Sequence, residues 1–188
     1  IETSEEQLKR GMGVMQKNYE ATAARGGIPA DAPAKRMGLI TGVVGLENVR
    51  DADLVIEAVF ETMAVKKEVF EALDKHAKPG AVLASNTSYL NIDEIAKATK
   101  RPQDVLGMHF FSPANVMKLC EIVRADKTAP DALTTAVSIA RKIAKVPAVV
   151  GGSHSSGAVI SRSPQMQREK SLVHASLAAL HALAAQDP

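Results

Sequence analysis

The sequence predicts an α/β fold with a mostly parallel sheet, and three observations support this prediction. Short apolar runs rich in Ile and Val recur along the chain, and such runs are typical of strands that are buried on both faces. Between them lie segments whose apolar residues recur at helical spacing. The two kinds of segment alternate throughout, which is the pattern of βαβ units.

The first half of the chain begins with a long helix. Ser4 is a suitable N-cap for it, and the helix stops near Arg25, where two glycines follow. A Pro- and Ala-rich segment at 27–36 then predicts a loop. The predicted elements of this half are a helix at 4–25, strands at 38–43 and 53–59, and a helix at 62–77.

The second half continues the alternation up to residue 150. Strands are predicted at 81–86, 104–111, 116–123 and 146–150, with helices at 91–99 and 128–145. The segment at 116–123 should lie antiparallel beside the preceding strand, because only a short turn separates the two. We expect the other strands to form a parallel sheet from the runs near Gly38, Asp53, Ala81, Val105 and Ala148.

Composition places the chain among ordinary globular proteins. Its 188 residues are 46% hydrophobic and 23% charged, with a formal net charge of +2. This charge gives no signal for a nucleic-acid partner, and no apolar stretch is long enough to span a bilayer. The single cysteine, Cys120, excludes a disulfide within the chain. We therefore expect a reducing location, either cytoplasmic or in an organelle matrix.

Polar residues follow three of the predicted strands. In an open parallel sheet, ligands bind beyond the carboxyl ends of the strands. Glu61 follows one such run, the polar run 86–88 follows the next, and His109 lies near the end of a third. A structural explanation exists for each: Glu61 as a solvated charge at a helix start, and 86–88 as a turn with a helix cap.

His109 and Glu121 are candidates for a catalytic pair. Glu121 interrupts an apolar run, and a buried carboxylate is rarely tolerated without a partner. The Ser112-Pro113 turn can bring the two runs together, so we expect a hydrogen bond of about 3 Å. The carboxylate would fix one imidazole tautomer and make His109 a general base; the alternative is a core or turn histidine. Ser88 would orient a substrate hydroxyl, and oxidation of that alcohol requires a hydride acceptor.

The segments around these residues read DLVIEAVFETMAVKKEVF, ASNTSYL and GMHFFSPANVMKLCEIV. In this order and spacing they resemble the nucleotide-binding domain of the L-3-hydroxyacyl-CoA dehydrogenases, above all in multifunctional fatty-acid oxidation enzymes. The resemblance covers about residues 2–150. It implies a Rossmann-like sheet, NAD as the cofactor and an acyl-CoA substrate. The implied reaction is NAD-dependent oxidation of (S)-3-hydroxyacyl-CoA to 3-ketoacyl-CoA in fatty-acid β-oxidation.

The resemblance also implies a role for each matching residue. His109 matches the catalytic base, Glu121 the acid that orients it, and Ser88 the serine that contacts substrate and cofactor. Glu2 matches an acidic residue that binds the adenosine ribose and favours NAD over NADP. Further matching positions are Glu61, Lys66 and Ser112 for NAD, and Asn18 and Arg25, on the first helix, for coenzyme A.

The sequence departs from the family pattern in two places. The G-x-G-x-x-G loop does not occur, so we expect residues 1–150 to be a partial NAD-binding domain that lacks the first βα unit. After Val150 the usual segment with a substrate-facing Asn is replaced by small polar residues. We expect 151–188 to form a linker and a C-terminal helix, at 165–186, in place of the helical domain.

Two alternative functions stay open at this point. A non-catalytic fragment or interaction module derived from such an enzyme would dock through the final helix and bind little NADH. A β-hydroxyacid dehydrogenase would act on free acids, although such enzymes usually rely on a lysine base.

Two expectations concern binding. His174 and His181 are too few ligands for a metal site, so we expect none. We expect a homo-oligomer, because exposed strand edges and apolar patches seek partners.

Overall fold

The computed structural model describes residues 1–151 of the chain. The predicted linker and the helix at 165–186, with His174 and His181, lie outside the described residues. No helix within 1–151 is long and apolar enough to cross a membrane. Five strands form one sheet in the order of their numbering: β1 (Leu54–Glu57), β2 (Val82–Ser85), β3 (Val105–Phe110), β4 (Leu119–Arg124) and β5 (Val146–Gly151).

The sheet is mixed and mostly parallel, which confirms the predicted fold class. β1, β2 and β3 run parallel to one another, and β4 is antiparallel to β3. The predicted strand return after β3 is therefore present. The expectation for the strand around Ala148 was wrong in direction, because β5 pairs in parallel with the reversed β4 and so runs opposite to β1–β3. The helix between β4 and β5 makes these two strands a βαβ unit of their own.

Helices flank the strands along the chain. The first begins as predicted, because Ser4 Oγ accepts a hydrogen bond from the backbone N–H of Gln7. Short 3₁₀ turns occur at Leu46–Val49 and Pro102–Asp104. The α-helices are α1 (Glu5–Ala24), α2 (Ala32–Met37), α3 (Met63–His76), α4 (Ile92–Ala96) and α5 (Pro130–Lys142).

Two segments differ from their predicted structure. The run 38–43 is not a strand; the nearest pairing is a single bridge between Glu2 and Val44. The first residues of this run instead close α2 through backbone hydrogen bonds, so an apolar sequence alone did not make a strand. The expected loop at 27–36 contains the start of α2, where Pro33 occupies the first turn and its missing N–H is not needed.

The sheet buries an apolar layer on each face. Leu106, Met108 and Phe110 of β3 pack with the small residues of α5 on one face. Val105 packs with α3 and α4 on the other. Because side chains alternate along a strand, His109 projects to the same face as Val105. Helices cover both faces of β3, and β2 and β4 flank its two edges. All six residues of β3 are therefore buried.

Candidate active site

The carboxyl ends of β1, β2 and β3 are held together at one edge of the sheet. The loop after β2 makes the connection on both sides. The backbone N–H of Asn86 donates to the carbonyl of Glu57 at 2.7 Å, and Asn86 Oδ1 accepts from the backbone N–H of Phe110 at 2.8 Å. The residues that follow these three strands therefore line a common edge, where ligands bind in open α/β sheets.

His109 and Glu121 make the expected contact across β3 and β4. The two residues are directly opposite each other in the antiparallel register, and Nδ1 of His109 lies 3.0 Å from Oε2 of Glu121. Both side chains are buried. A shift of one residue in this register would move Glu121 to the other face of the sheet, so the pairing itself sets the contact.

Two neighbours fix the surroundings of His109. The ring of Phe111 lies 4.5 Å from the imidazole, centroid to centroid, with the planes tilted by 45°. On the same face, Gly107 leaves no space for a side chain, because a Cβ there would lie 2.9 Å from Cβ of Val123 and 3.2 Å from Cδ1 of Ile92. The imidazole thus lies against an aromatic ring, and Gly107, two residues earlier on the same face, lets the side chains of Val123 and Ile92 pack closely against β3.

Glu61 holds the loop that carries Ser88. Its Oε1 accepts three hydrogen bonds: from Thr87 Oγ1 at 2.7 Å, from Ser88 N at 2.7 Å and from Ser88 Oγ at 3.1 Å. Ser88 follows β2, and His109 lies near the carboxyl end of the neighbouring parallel strand β3, which places both residues toward the same edge of the sheet. Glu61 therefore fixes the position of both the backbone N–H and the hydroxyl of Ser88.

Glu57 is a site residue that the sequence analysis missed. It is buried in β1, and Lys66 Nζ donates to its Oε1 at 2.7 Å, as does the backbone N–H of Val59 at 2.6 Å. Lys66 also lies 3.5 Å from Glu61 Oε2 and has no exposed surface. The signal was present, because Glu57 interrupts an apolar run just as Glu121 does.

Glu2 and Ser112 are two further residues that the sequence analysis assigned to the NAD site. Glu2 pairs through its backbone with Val43 and Gly45, and its side chain is partly exposed. Ser112 lies two residues after the end of β3 and is also partly exposed. Both side chains therefore remain accessible to a ligand.

Asn18 is on α1, and Arg25 is the residue that ends this helix. Both are exposed, whereas Met15 and Tyr19 form the buried side of the helix. Their separation of seven residues places them on one helix face, about two turns apart. The structure leaves this face open to solvent.

The segment after β3 is anchored by a lysine. Nζ of Lys145 donates to the carbonyls of Ala114 and Met117, the latter at 2.6 Å. Burial lowers the pKa of Lys145. Burial also raises the pKa of the Cys120 thiol to about 12, so the thiol is neutral; its side chain packs in the apolar cluster on the opposite face of the sheet from Glu121. No group of three or more potential metal ligands occurs within residues 1–151.

The accessible polar groups at this edge suit part of a dinucleotide. The carboxylate of Glu2 is an acceptor for ribose hydroxyls, and Glu61 and Ser88 lie at the strand ends where the rest of the cofactor would pass. The G-x-G-x-x-G motif, which usually supplies the pyrophosphate contacts, does not occur in the sequence. Among the described residues, the fit to a dinucleotide therefore rests on the carboxylates of Glu2 and Glu61 and on the hydroxyl of Ser88.

Comparisons with known proteins agree with this architecture. The peroxisomal bifunctional enzyme of Danio rerio is 41% identical over 151 residues, which cover 80% of this chain and 20% of the relative. The peroxisomal fatty acid beta-oxidation multifunctional protein of Oryza sativa is 38% identical over 144 residues, or 77% of this chain and 20% of the relative. The chain thus spans about a fifth of the length of these relatives.

A solved structure and a family model agree with these relatives. The crystal structure of 3-hydroxybutyryl-CoA dehydrogenase from Escherichia coli K12 superposes with a TM-score of 0.79 and 31% identity, covering 85% of this chain and 33% of that one. Residues 1–153 match the model of the 3-hydroxyacyl-CoA dehydrogenase NAD binding domain. This chain belongs to the family of NAD-binding domains of 3-hydroxyacyl-CoA dehydrogenases.

Proposed function

We propose that the protein containing this chain oxidises (S)-3-hydroxyacyl-CoA to 3-ketoacyl-CoA in fatty-acid β-oxidation. The observation that carries the proposal is the buried contact between His109 and Glu121 at the end of β3. A histidine oriented by a carboxylate is a suitable base for a hydroxyl proton. The family and the named β-oxidation relatives support the substrate class.

His109 takes the proton of the substrate hydroxyl in this proposal. When Nδ1 carries its proton and donates to Glu121, the lone pair of Nε2 is available as the base. The carboxylate of Glu121 then stabilises the imidazolium that forms. NAD, when bound, accepts the hydride from the carbon that bears the hydroxyl. One proton and one hydride thus leave the alcohol and produce the ketone.

Ser88 contacts the substrate hydroxyl and the cofactor in this proposal. Its backbone N–H and its hydroxyl both bond to Glu61, which fixes the position of the oxygen. The remaining NAD contacts are assigned to Glu2, Glu61, Lys66 and Ser112, and Lys66 also lies 3.5 Å from Glu61. The carboxylate of Glu2 repels the additional phosphate of NADP and so favours NAD.

Asn18 and Arg25 bind coenzyme A in this proposal. An exposed guanidinium suits the phosphate groups of coenzyme A, and an exposed amide can both donate and accept hydrogen bonds. Their shared face on α1 gives the acyl carrier a surface separate from the strand ends.

We also propose a location and an oligomeric state. The protein acts in the cytoplasm or in an organelle matrix; peroxisomal names among the relatives support the second. It forms a homo-oligomer, because Val146 and Val149 leave apolar surface exposed on β5.

Loss of NADH absorbance with acetoacetyl-CoA tests the proposed reaction in the reverse direction. We expect turnover with acetoacetyl-CoA and NADH, and at most weak turnover with free acetoacetate. Turnover of the free acid at an equal rate would favour a β-hydroxyacid dehydrogenase. Equal use of NADPH would contradict the assigned role of Glu2.

A non-catalytic interaction module is the second candidate. The usual pyrophosphate contacts depend on a G-x-G-x-x-G loop, which residues 1–188 do not contain. Isothermal titration of residues 1–188 with NADH separates the two functions. Micromolar binding supports the dehydrogenase, and no binding at millimolar NADH supports the module.

A further inference from the structure

A buried ion pair joins Glu57, the last residue of β1, to Lys66 on α3. Glu57 is 5% exposed and Lys66 is 0% exposed, and Nζ of Lys66 lies 2.7 Å from Oε1 of Glu57. Ser85 Oγ donates to the second oxygen of Glu57 at 2.7 Å, and the N–H of Val59 donates to the first at 2.6 Å. These bonds join β1, β2 and α3 at one buried point.

Lys66 connects this point to a second carboxylate. Its Nζ lies 3.5 Å from Oε2 of Glu61, while the other oxygen of Glu61 accepts the hydrogen bonds from Thr87 and Ser88. Because Lys66 has no exposed surface, an added ligand cannot contact it unless the site rearranges. The ammonium therefore influences the site through the carboxylates beside it.

We infer that Glu57 and Lys66 are positioning residues for the dehydrogenase: Glu57 fixes Lys66, Lys66 holds Glu61, and Glu61 holds Ser88. The inference rests on the proposed function. In a buried environment, charge-assisted bonds of this kind are strong, and a partly satisfied network is costly.

The double variant Glu57→Gln/Lys66→Met tests this relay. It removes one negative and one positive charge together, and replacing both members of a buried ion pair is often tolerated by the fold. The matched control is Lys67→Met/Glu94→Gln. It removes a partly exposed ion pair of 3.1 Å that joins Lys67, the neighbour of Lys66 on α3, to Glu94 on α4.

Amide hydrogen exchange at Ser88, followed by NMR, is the direct readout. Without Lys66 the carboxylate that accepts the Ser88 N–H is less firmly held, so we expect exchange to accelerate at least about tenfold. The control should leave this rate within about twofold. Unchanged Ser88 exchange in the folded double variant would overturn the inference.

Kinetics give a second readout. A displacement of Ser88 should lower kcat about 10- to 100-fold with acetoacetyl-CoA. In the single variant Glu57→Gln, which keeps Lys66, the affinity for NADH should change less than about threefold, because the Glu57 side chain is buried in β1. A normal kcat in the double variant would also overturn the inference. If the double variant does not fold, Glu57→Gln alone takes its place, with faster Ser88 exchange and lower kcat again expected.

The two proposals fail in different ways. Absence of turnover in the unsubstituted protein removes the proposed function and leaves the exchange measurement as the test of the relay. Unchanged exchange, with turnover intact in the unsubstituted protein, removes the relay and leaves the proposed function in place.

Discussion

His109 and Glu121 occupy opposite positions on the antiparallel strands β3 and β4, with Nδ1 3.0 Å from Oε2. Twelve residues separate them in sequence, yet the strand register places them side by side on one face. The contact is therefore a property of the sheet and does not depend on a flexible loop. Substitutions that alter the carboxylate and those that alter the strand packing should have different consequences.

Replacing Glu121 with Gln should reduce turnover while keeping the fold. Gln is similar in size but cannot stabilise the imidazolium, so we expect kcat to fall about 10²- to 10⁴-fold. Steady-state assay with acetoacetyl-CoA and NADH measures the effect. Glu71→Gln, at an exposed position on α3, is the control and should retain full activity. Retention of normal kcat by Glu121→Gln would show that the carboxylate has no part in catalysis.

Adding a methyl group at Gly107 should destabilise the protein. Its Cβ would lie 2.9 Å from Cβ of Val123 in the neighbouring strand, so β3 and β4 must separate. We expect a loss of about 1–3 kcal/mol in the free energy of unfolding, measured by urea denaturation. Gly13→Ala is the control, because α1 has open space there, and it should stabilise by about 0.5–1 kcal/mol. Equal stability for both variants would contradict the close packing at Gly107.

Cys120 should resist alkylation in the folded protein. Burial raises its pKa to about 12 and shields the sulfur from reagents, so the thiol stays protonated at pH 8. Because Cys120 is the only cysteine in the sequence, labelling with iodoacetamide reports on this one thiol. We expect slow labelling under native conditions and rapid labelling in denaturant. Rapid native labelling at pH 8 would show that the thiol is exposed.

The pair of His109 and Glu121 could be anticipated from sequence because its elements are local. A carboxylate in an apolar run needs a partner, and a short turn after the preceding strand limits where the partner lies. The start of α1 was equally local, because the Ser4 side chain caps it as its type predicts. These features need only a few neighbouring residues to be specified.

Other features depend on distant partners and were missed for that reason. The run 38–43 has the composition of a strand, but its first residues close α2. The direction of β5 follows from its pairing with β4, which residue pattern does not encode. Lys66 has the spacing of an ordinary helical lysine, and only packing against β1 buries it beside Glu57. Composition does not reveal such an arrangement.

The most direct test of the central claim is the turnover of His109→Gln compared with His76→Gln. His109 lies buried at the end of β3, whereas His76 is exposed at the end of α3, so only the first should affect proton transfer. With acetoacetyl-CoA and NADH, we expect kcat to fall at least about 10²-fold in His109→Gln and to stay unchanged in His76→Gln. Near-normal kcat in a folded His109→Gln protein would contradict the assignment of His109 as the base.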